Sequence, residues 1–128
     1  KYQNFVDEVN SRGLNHYATL TNKREIENYY HESIIIPSFA DSDGFSITIS
    51  VDDDSDIPTS IAKLRHSERQ PDKPWEEQSK NYRDRCSSFV KKHLNSKTSS
   101  GITLEILKER NAFDEIKSWF DEIKERIE

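Results

Sequence analysis

Between Gly44 and Asp52 the chain alternates Phe45, Ile47, Ile49 and Val51 with Ser46, Thr48 and Ser50. A period of two over seven residues calls for extended backbone with one face covered and the other wet, so a layer must pack against it. The segments around it read as helices. Tyr2, Phe5, Val6 and Val9 recur at helical spacing, and Gly13 stands where a left-handed helix stop belongs. In the following Leu14–Leu20 stretch His16, Ala18 and Leu20 share one parity and predict a second, shorter strand. Helix, glycine stop and strand make the αβ step of an open α/β sheet, so α/β is the expected fold class, with α+β as the variant.

Further along, Asn22 and Glu25 have capping-box spacing, and Ile26, Tyr29 and Tyr30 predict a helix of about two turns from Lys23. The run Ile34-Ile35-Ile36 stops at Pro37, which favours an extended residue before it. Ile57, Ile61 and Leu64, with Pro58 in the first turn, predict a helix after the acidic loop 52–56. The polar stretch Ser67–Gln78 reads as a loop anchored by Trp75. Tyr82, Cys86, Phe89, Val90, His93 and Leu94 mark one face of a longer helix, and Asn95–Gly101 is a second loop. Thr103 caps a short helix through Leu107, and Phe113, Ile116, Trp119, Phe120, Ile123 and Ile127 form the stripe of a final one.

Only 32% of the 128 residues are apolar, so the core has to be lean. Ile, Leu, Val and Phe still number 29, above the roughly one-fifth below which chains tend to stay disordered. No apolar run approaches the length of a membrane span, and Cys86, the single cysteine, cannot form an internal disulfide. A cytoplasmic protein without membrane attachment is expected. The chain starts at Lys1 and contains no Met, which reads as a piece of a longer polypeptide. The net charge of −5 conceals an uneven distribution: −1 over 1–40, −6 over 41–60, +5 over 61–97 and −3 over 98–128. The basic 63–97 stretch can face phosphate, or can be a solvated helix surface.

Several constellations can be weighed on spacing alone. Asp52, Asp54 and Asp56 open like a calcium loop, but Ile57 and Lys63 stand where the turn glycine and the bidentate glutamate belong, which favours a solvated, helix-capping loop. The four histidines have no i, i+4 pairing, and Cys86 on an apolar face reads as packing. The densest stretch is Asn22–His31, where Arg24 and Glu27 lie three apart directly after a predicted strand end. An exposed ion pair beside two packing tyrosines is the plain interpretation, and strand ends are also where sites form in open sheets.

The Lys23–Tyr29 stretch resembles the R-x-I-E-N-Y signature of the Toprim nuclease domain of ATPase-linked, OLD-type endonucleases. VKKHLN (90–95), ITLEIL (102–107) and DEIKSWFDEI (114–123) are similar to the C-terminal end of the same proteins, in the same order. The resemblance implies a partial Toprim-like open sheet over 1–51 with a mainly helical portion, 52–128, packed on it. It implies a metal-dependent DNA endonuclease working by a two-metal mechanism with Mg2+ or Mn2+, coupled to an upstream ATPase domain that uses ATP, and serving defence against phage or plasmids. Glu27 is then the metal-site carboxylate, Lys91 or its neighbour Lys92 the lysine facing charge on the scissile phosphate, and Arg24, Asn28 and Tyr29 positioning residues. DNA is the implied partner and a homo-oligomer the implied state. The remaining ligands would precede Lys1, leaving this stretch inactive alone. The alternative is a non-catalytic interaction module, with the terminal helices as a partner surface and 63–97, including an exposed Trp75, touching DNA backbone.

Overall fold

The structure, a computed structural model, describes residues 2–13 and 15–127. Six α-helices follow one another: α1 (Tyr2–Asn10), α2 (Glu32–Asp43), α3 (Ile57–Arg69), α4 (Lys80–Ser96), α5 (Leu104–Glu109) and α6 (Phe113–Ile127). Short 3-10 turns lie at Ile26–Tyr29, Trp75–Glu77 and Thr98–Gly101. No strand occurs among the described residues, so the expected α/β open sheet, its α+β variant and the Toprim-like sheet are all corrected to an all-helical fold. No helix among the described residues is long and apolar enough to cross a membrane.

The reason for the missing sheet is visible in where the extended segments find partners. The Ala18 backbone N–H donates to Asn10 Oδ1 at 2.9 Å and its carbonyl accepts from Asn10 Nδ2 at 3.0 Å, so one side-chain amide takes the place of a neighbouring strand. At the second segment Val51 N–H donates to Glu32 Oε2 at 3.3 Å and Val51 O accepts from Arg110 Nη1 at 3.1 Å. The period-two pattern nevertheless describes burial correctly: Ile47 and Val51 are buried, Phe45 and Ile49 half-buried, and Ser46, Thr48 and Ser50 exposed. What covers that face is helix. Leu14 of the first expected strand lies outside the described residues.

Two helix boundaries also differ from expectation. The residues around Pro37 are helical, because the proline sits at the sixth position of α2 and removes one early hydrogen bond, while Ile35 and Phe39, one turn apart, both gain full burial. The helix expected from Lys23 is only the 3-10 turn 26–29. Its capping box forms one step later, with Glu25 accepting from Asn28 N–H and Asn28 Oδ1 accepting from Glu25 N–H. Elsewhere the sequence signals hold. Gly13 adopts φ 108° after α1, Asp56 accepts from Thr59 N–H to cap α3 with Pro58 in its first turn, and Thr103 accepts from Ile106 N–H at the start of α5.

α2, α3 and α4 enclose the core, built from Ile35, Phe39, Ile47, Val51, Ile57, Ile61, Ala62, Val90 and Leu94. Trp75 joins it, so its expected exposure is corrected: the ring is buried edge-on to His66 at 5.6 Å, and His66 in turn holds Lys73 O and Tyr82 Oη. The turn 98–101 lies close against α2, where a Cβ on Gly101 would stand 3.1 Å from Ile34 Cγ2. A polar clamp closes the α2–α3 corner: the buried Asp43 carboxylate accepts from Arg65 Nε and Nη2 at 2.6 and 2.7 Å, and from Arg69 Nη2 at 2.6 Å.

This clamp predicts acid sensitivity. Hydrogen bonds from Arg65 hold the Asp43 carboxyl below its ordinary 3.8 against the opposing effect of burial, and burial holds His93 below its ordinary 6.5. Both contributions are present above those ordinary values and are lost as pH falls through the lowered ones. Thermal melts from about pH 7.5 down to about 3 are expected to show a first loss of stability below 6.5 and a second below 3.8. Asp43→Ala, which leaves Arg65 buried without its counter-charge, is expected to cost about 3–5 kcal/mol at neutral pH and to shrink the second loss, part of which stays with Asp52 and Asp53.

Candidate functional site

The 26–29 turn carries Glu27, Asn28 and Tyr29 wholly inside the protein, followed by the buried Tyr30. Such a cluster of buried polar groups persists only where each finds a partner. Asn28 makes the fullest use of its side chain. Its Oδ1 accepts from Glu25 N–H at 3.0 Å, and its Nδ2 donates to Asp52 O and to Ser55 O, both at 2.9 Å. Its carbonyl accepts from Arg110 Nε and Nη2 at 3.1 and 2.7 Å, while Arg110 also donates to Val51 O and to Asp53 Oδ1. The turn is thereby fixed to the acidic loop and to the end of α5.

Glu27 faces α4. Its Oε1 accepts from Asn95 Nδ2 at 2.8 Å, and Lys91 Nζ lies 3.6 Å from the same oxygen and 3.4 Å from Glu25 Oε2. Tyr30 Oη donates to Asn95 Oδ1 at 2.6 Å, which orients the amide so that its NH2 meets the carboxylate. Glu27 is 0% exposed, and its Oε2 has no hydrogen-bond partner among the described residues. Burying an ionised carboxylate costs several kcal/mol unless a charge and hydrogen bonds compensate it. Here the compensation comes from Asn95 and from Lys91, whose side chain is 51% exposed. Burial pulls the Lys91 ammonium down, but the Glu27 and Glu25 carboxylates push it above its ordinary 10.5, so it stays charged at neutral pH.

The sequence-nominated residues divide accordingly. Glu27 and Lys91, 64 positions apart, are brought together; Lys92, the next residue on α4, points about 100° away and is exposed. Asn28 fixes the turn to its neighbours through its side-chain amide. Tyr29 holds it too, donating from Oη to Glu115 Oε1 at 2.5 Å with its ring edge-on to Trp119, an arrangement in which burial and then Glu115 raise its pKa far above 10.0. Arg24 is exposed and does not pair with Glu27; its backbone N–H donates to Asp53 O at 2.8 Å and its guanidinium reaches Asp54 O and Asp56.

Sequence reasoning did not single out Asn95, Arg110, Asp53 or Glu115. Asn95 is one turn from Lys91 on the same face of α4, a spacing that offers a signal once Lys91 is nominated. The others bridge distant segments and leave no local pattern. Three carboxylates of the acidic loop are engaged within the protein: Asp52 accepts from Asp54 and Ser55, Asp53 from Lys23 and Arg110, and Asp56 from Thr59 N–H. Among the described residues no three His, Cys, Asp or Glu side chains gather around one point as a cation site. Glu27 Oε2 is thus one buried, unpartnered carboxylate oxygen, not a whole cation site. No known protein family, curated protein or solved structure matches this chain.

Because the turn depends on Asn28, Asn28→Ala is expected to cost about 2–4 kcal/mol in urea unfolding. The isosteric Asn28→Asp is expected to cost as much, since its second oxygen would face two carbonyls; a neutral Asn28→Asp would contradict this account.

Proposed function

We propose that this chain contributes a carboxylate–lysine half-site to metal-dependent hydrolysis of DNA phosphodiesters, within an endonuclease coupled to an ATPase domain of the same polypeptide and directed against invading DNA. The observation that carries the proposal is the unpartnered, buried Glu27 Oε2 beside the half-exposed Lys91 ammonium. The proposal requires no sheet in this chain, only that the turn and α4 present these two groups together.

Each residue has a distinct task. Asn95 and Lys91 occupy Oε1 of Glu27, which leaves Oε2 as the donor for Mg2+ or Mn2+. A divalent ion bound there would lower the pKa of bound water and offset charge at the leaving oxygen. One carboxylate oxygen is a fraction of the roughly six donors such an ion takes, so further ligands come from outside the described residues. Lys91 holds a fixed positive charge whose exposed end can meet a phosphate oxygen as negative charge grows on it. Arg110 and Asn28 hold the turn from behind, and Tyr29 secures it to α6.

Nicking of supercoiled plasmid by the intact protein in Mg2+ or Mn2+ tests this reading. Glu27→Gln keeps an acceptor for Asn95 and is expected to slow nicking by about 10²-fold or more, and Lys91→Ala by a similar factor, while Lys92→Ala stays within about threefold. Undiminished nicking by both Glu27→Gln and Lys91→Ala would overturn the assignment.

A second reading, a non-catalytic interaction module, is favoured by α6, whose Phe120, Ile123 and Ile127 are 67%, 50% and 79% exposed. An apolar stripe this open suits a second copy of the chain. Sedimentation velocity at micromolar concentration is then expected to show a dimer that Phe120→Ser weakens, and a monomer throughout would remove this reading.

A further inference from the structure

The sides of α3 and α4 turned away from Glu27 form a groove of about 250 Å3, lined by Arg65, Arg69, Tyr82, Arg85, Cys86 and Phe89. Arg65 is immobilised in its floor. The Asp43 clamp holds two of its nitrogens, and its guanidinium carbon lies 5.3 Å from the Phe39 ring centre and 4.9 Å from that of Phe89. Phe89 is thus braced by a fixed cation on one side while remaining 54% exposed. Arg69 gives one nitrogen to Asp43 and is half exposed, and Arg85 is exposed on the α4 side. Three guanidinium groups stand against the single Asp43 carboxylate, a local excess of positive charge in a chain whose net charge is −5.

An aromatic platform open to water, held by a locked cation and flanked by exposed guanidinium groups, matches the chemistry of an unpaired nucleotide. The base stacks on the ring, and the phosphates on either side meet the charges. A duplex offers no free base face to such a platform, whereas a single strand does. We propose that this groove binds a single-stranded stretch of DNA, with one base on Phe89 and the adjoining phosphates at Arg69 and Arg85. The choice of DNA rests on the function proposed above; the groove's preference for a single strand rests on its own geometry.

The test is fluorescence anisotropy with a labelled oligothymidylate of about 12 nucleotides, and with a duplex of the same length, in EDTA so that no cleavage intervenes. The single strand is expected to bind more tightly than the duplex. Phe89→Ala is expected to weaken it by about 5- to 100-fold, with Phe89→Trp retaining affinity. Arg85→Ala is expected to lower both affinity and the slope of log affinity against log salt, by roughly one phosphate contact. Both side chains are exposed, and Phe5→Ala on α1 serves as a control expected to bind normally. Unchanged binding by Phe89→Ala, equal affinity for strand and duplex, no binding, or a Phe89-dependent self-association in its place would each overturn the proposal. Failure of the nuclease reading gives a different pattern: Glu27→Gln nicks normally while the Phe89 effect on strand binding persists.

Discussion

Asn28 uses each hydrogen-bonding group of its side chain, and its carbonyl besides, on segments that are otherwise separate: the turn entry at Glu25, the acidic loop at Asp52 and Ser55, and Arg110 beyond α5. The placement of Glu27 follows from this. A lone 3-10 turn of four residues has little stability of its own, and its hydrogen bonds are poorer than those of an α-helix. It keeps one geometry because a buried amide has few ways to satisfy both donors and its acceptor at once. Arg110 then adds a second requirement, since its guanidinium serves Asn28 O, Val51 O and Asp53 together. The core of α2, α3 and α4 supplies the wall that carries Lys91 and Asn95, and the polar network sets the turn against it.

What the sequence could reveal follows the same division between local and long-range forces. Helices α1, α3, α4, α5 and α6 are legible because their apolar spacing and caps are local, as at Asp56 for α3 and Thr103 for α5. The alternation at 45–51 told truly which side chains are covered and misled about what covers them. A period of two reports a face, and it carries no information on whether backbone groups meet another strand or, as at Val51, a glutamate and an arginine. Pro37 misled differently: its cost is one hydrogen bond near a helix start, outweighed by the burial of Ile35 and Phe39. Of the candidate site, Glu27 and Lys91 came from likeness of motif, and their meeting is a structural fact that neither motif contains. Arg110, Asp53 and Glu115 were invisible because a hydrogen bond across 57 to 86 positions imposes no periodicity on the chain.

The charge pattern is also reorganised by the fold. The stretch 41–60, the most acidic in the chain, has much of its charge answered internally, with Asp43 on Arg65 and Arg69, and Asp53 on Lys23 and Arg110. The basic stretch is answered less completely. Lys63 pairs with Glu76 and Lys80 with Asp84, yet Arg85 and Lys92 stand exposed along one side of α4. A polyanion approaching the molecule meets that side rather than the average, so a net charge of −5 does not decide what binds.

The charge on Glu27 is the feature hardest to explain by stability alone. An amide at this position would accept from Asn95 equally well and would avoid the cost of burying a negative charge. The carboxylate instead leaves one oxygen without a partner, at a cost of about 1–3 kcal/mol for the unsatisfied group. It also draws on Lys91, whose exposed end keeps contact with water and could equally answer a phosphate. Full burial beside Glu27 would strengthen the pair but would also strip water from the ammonium, and the half-exposed position spares Lys91 that cost. Half-exposed, it compensates the carboxylate while remaining within reach of a ligand. The orphaned oxygen and the half-exposed lysine occur at the same point. There a cation would partner the oxygen and a phosphate the ammonium, and the proposed function rests on that pairing.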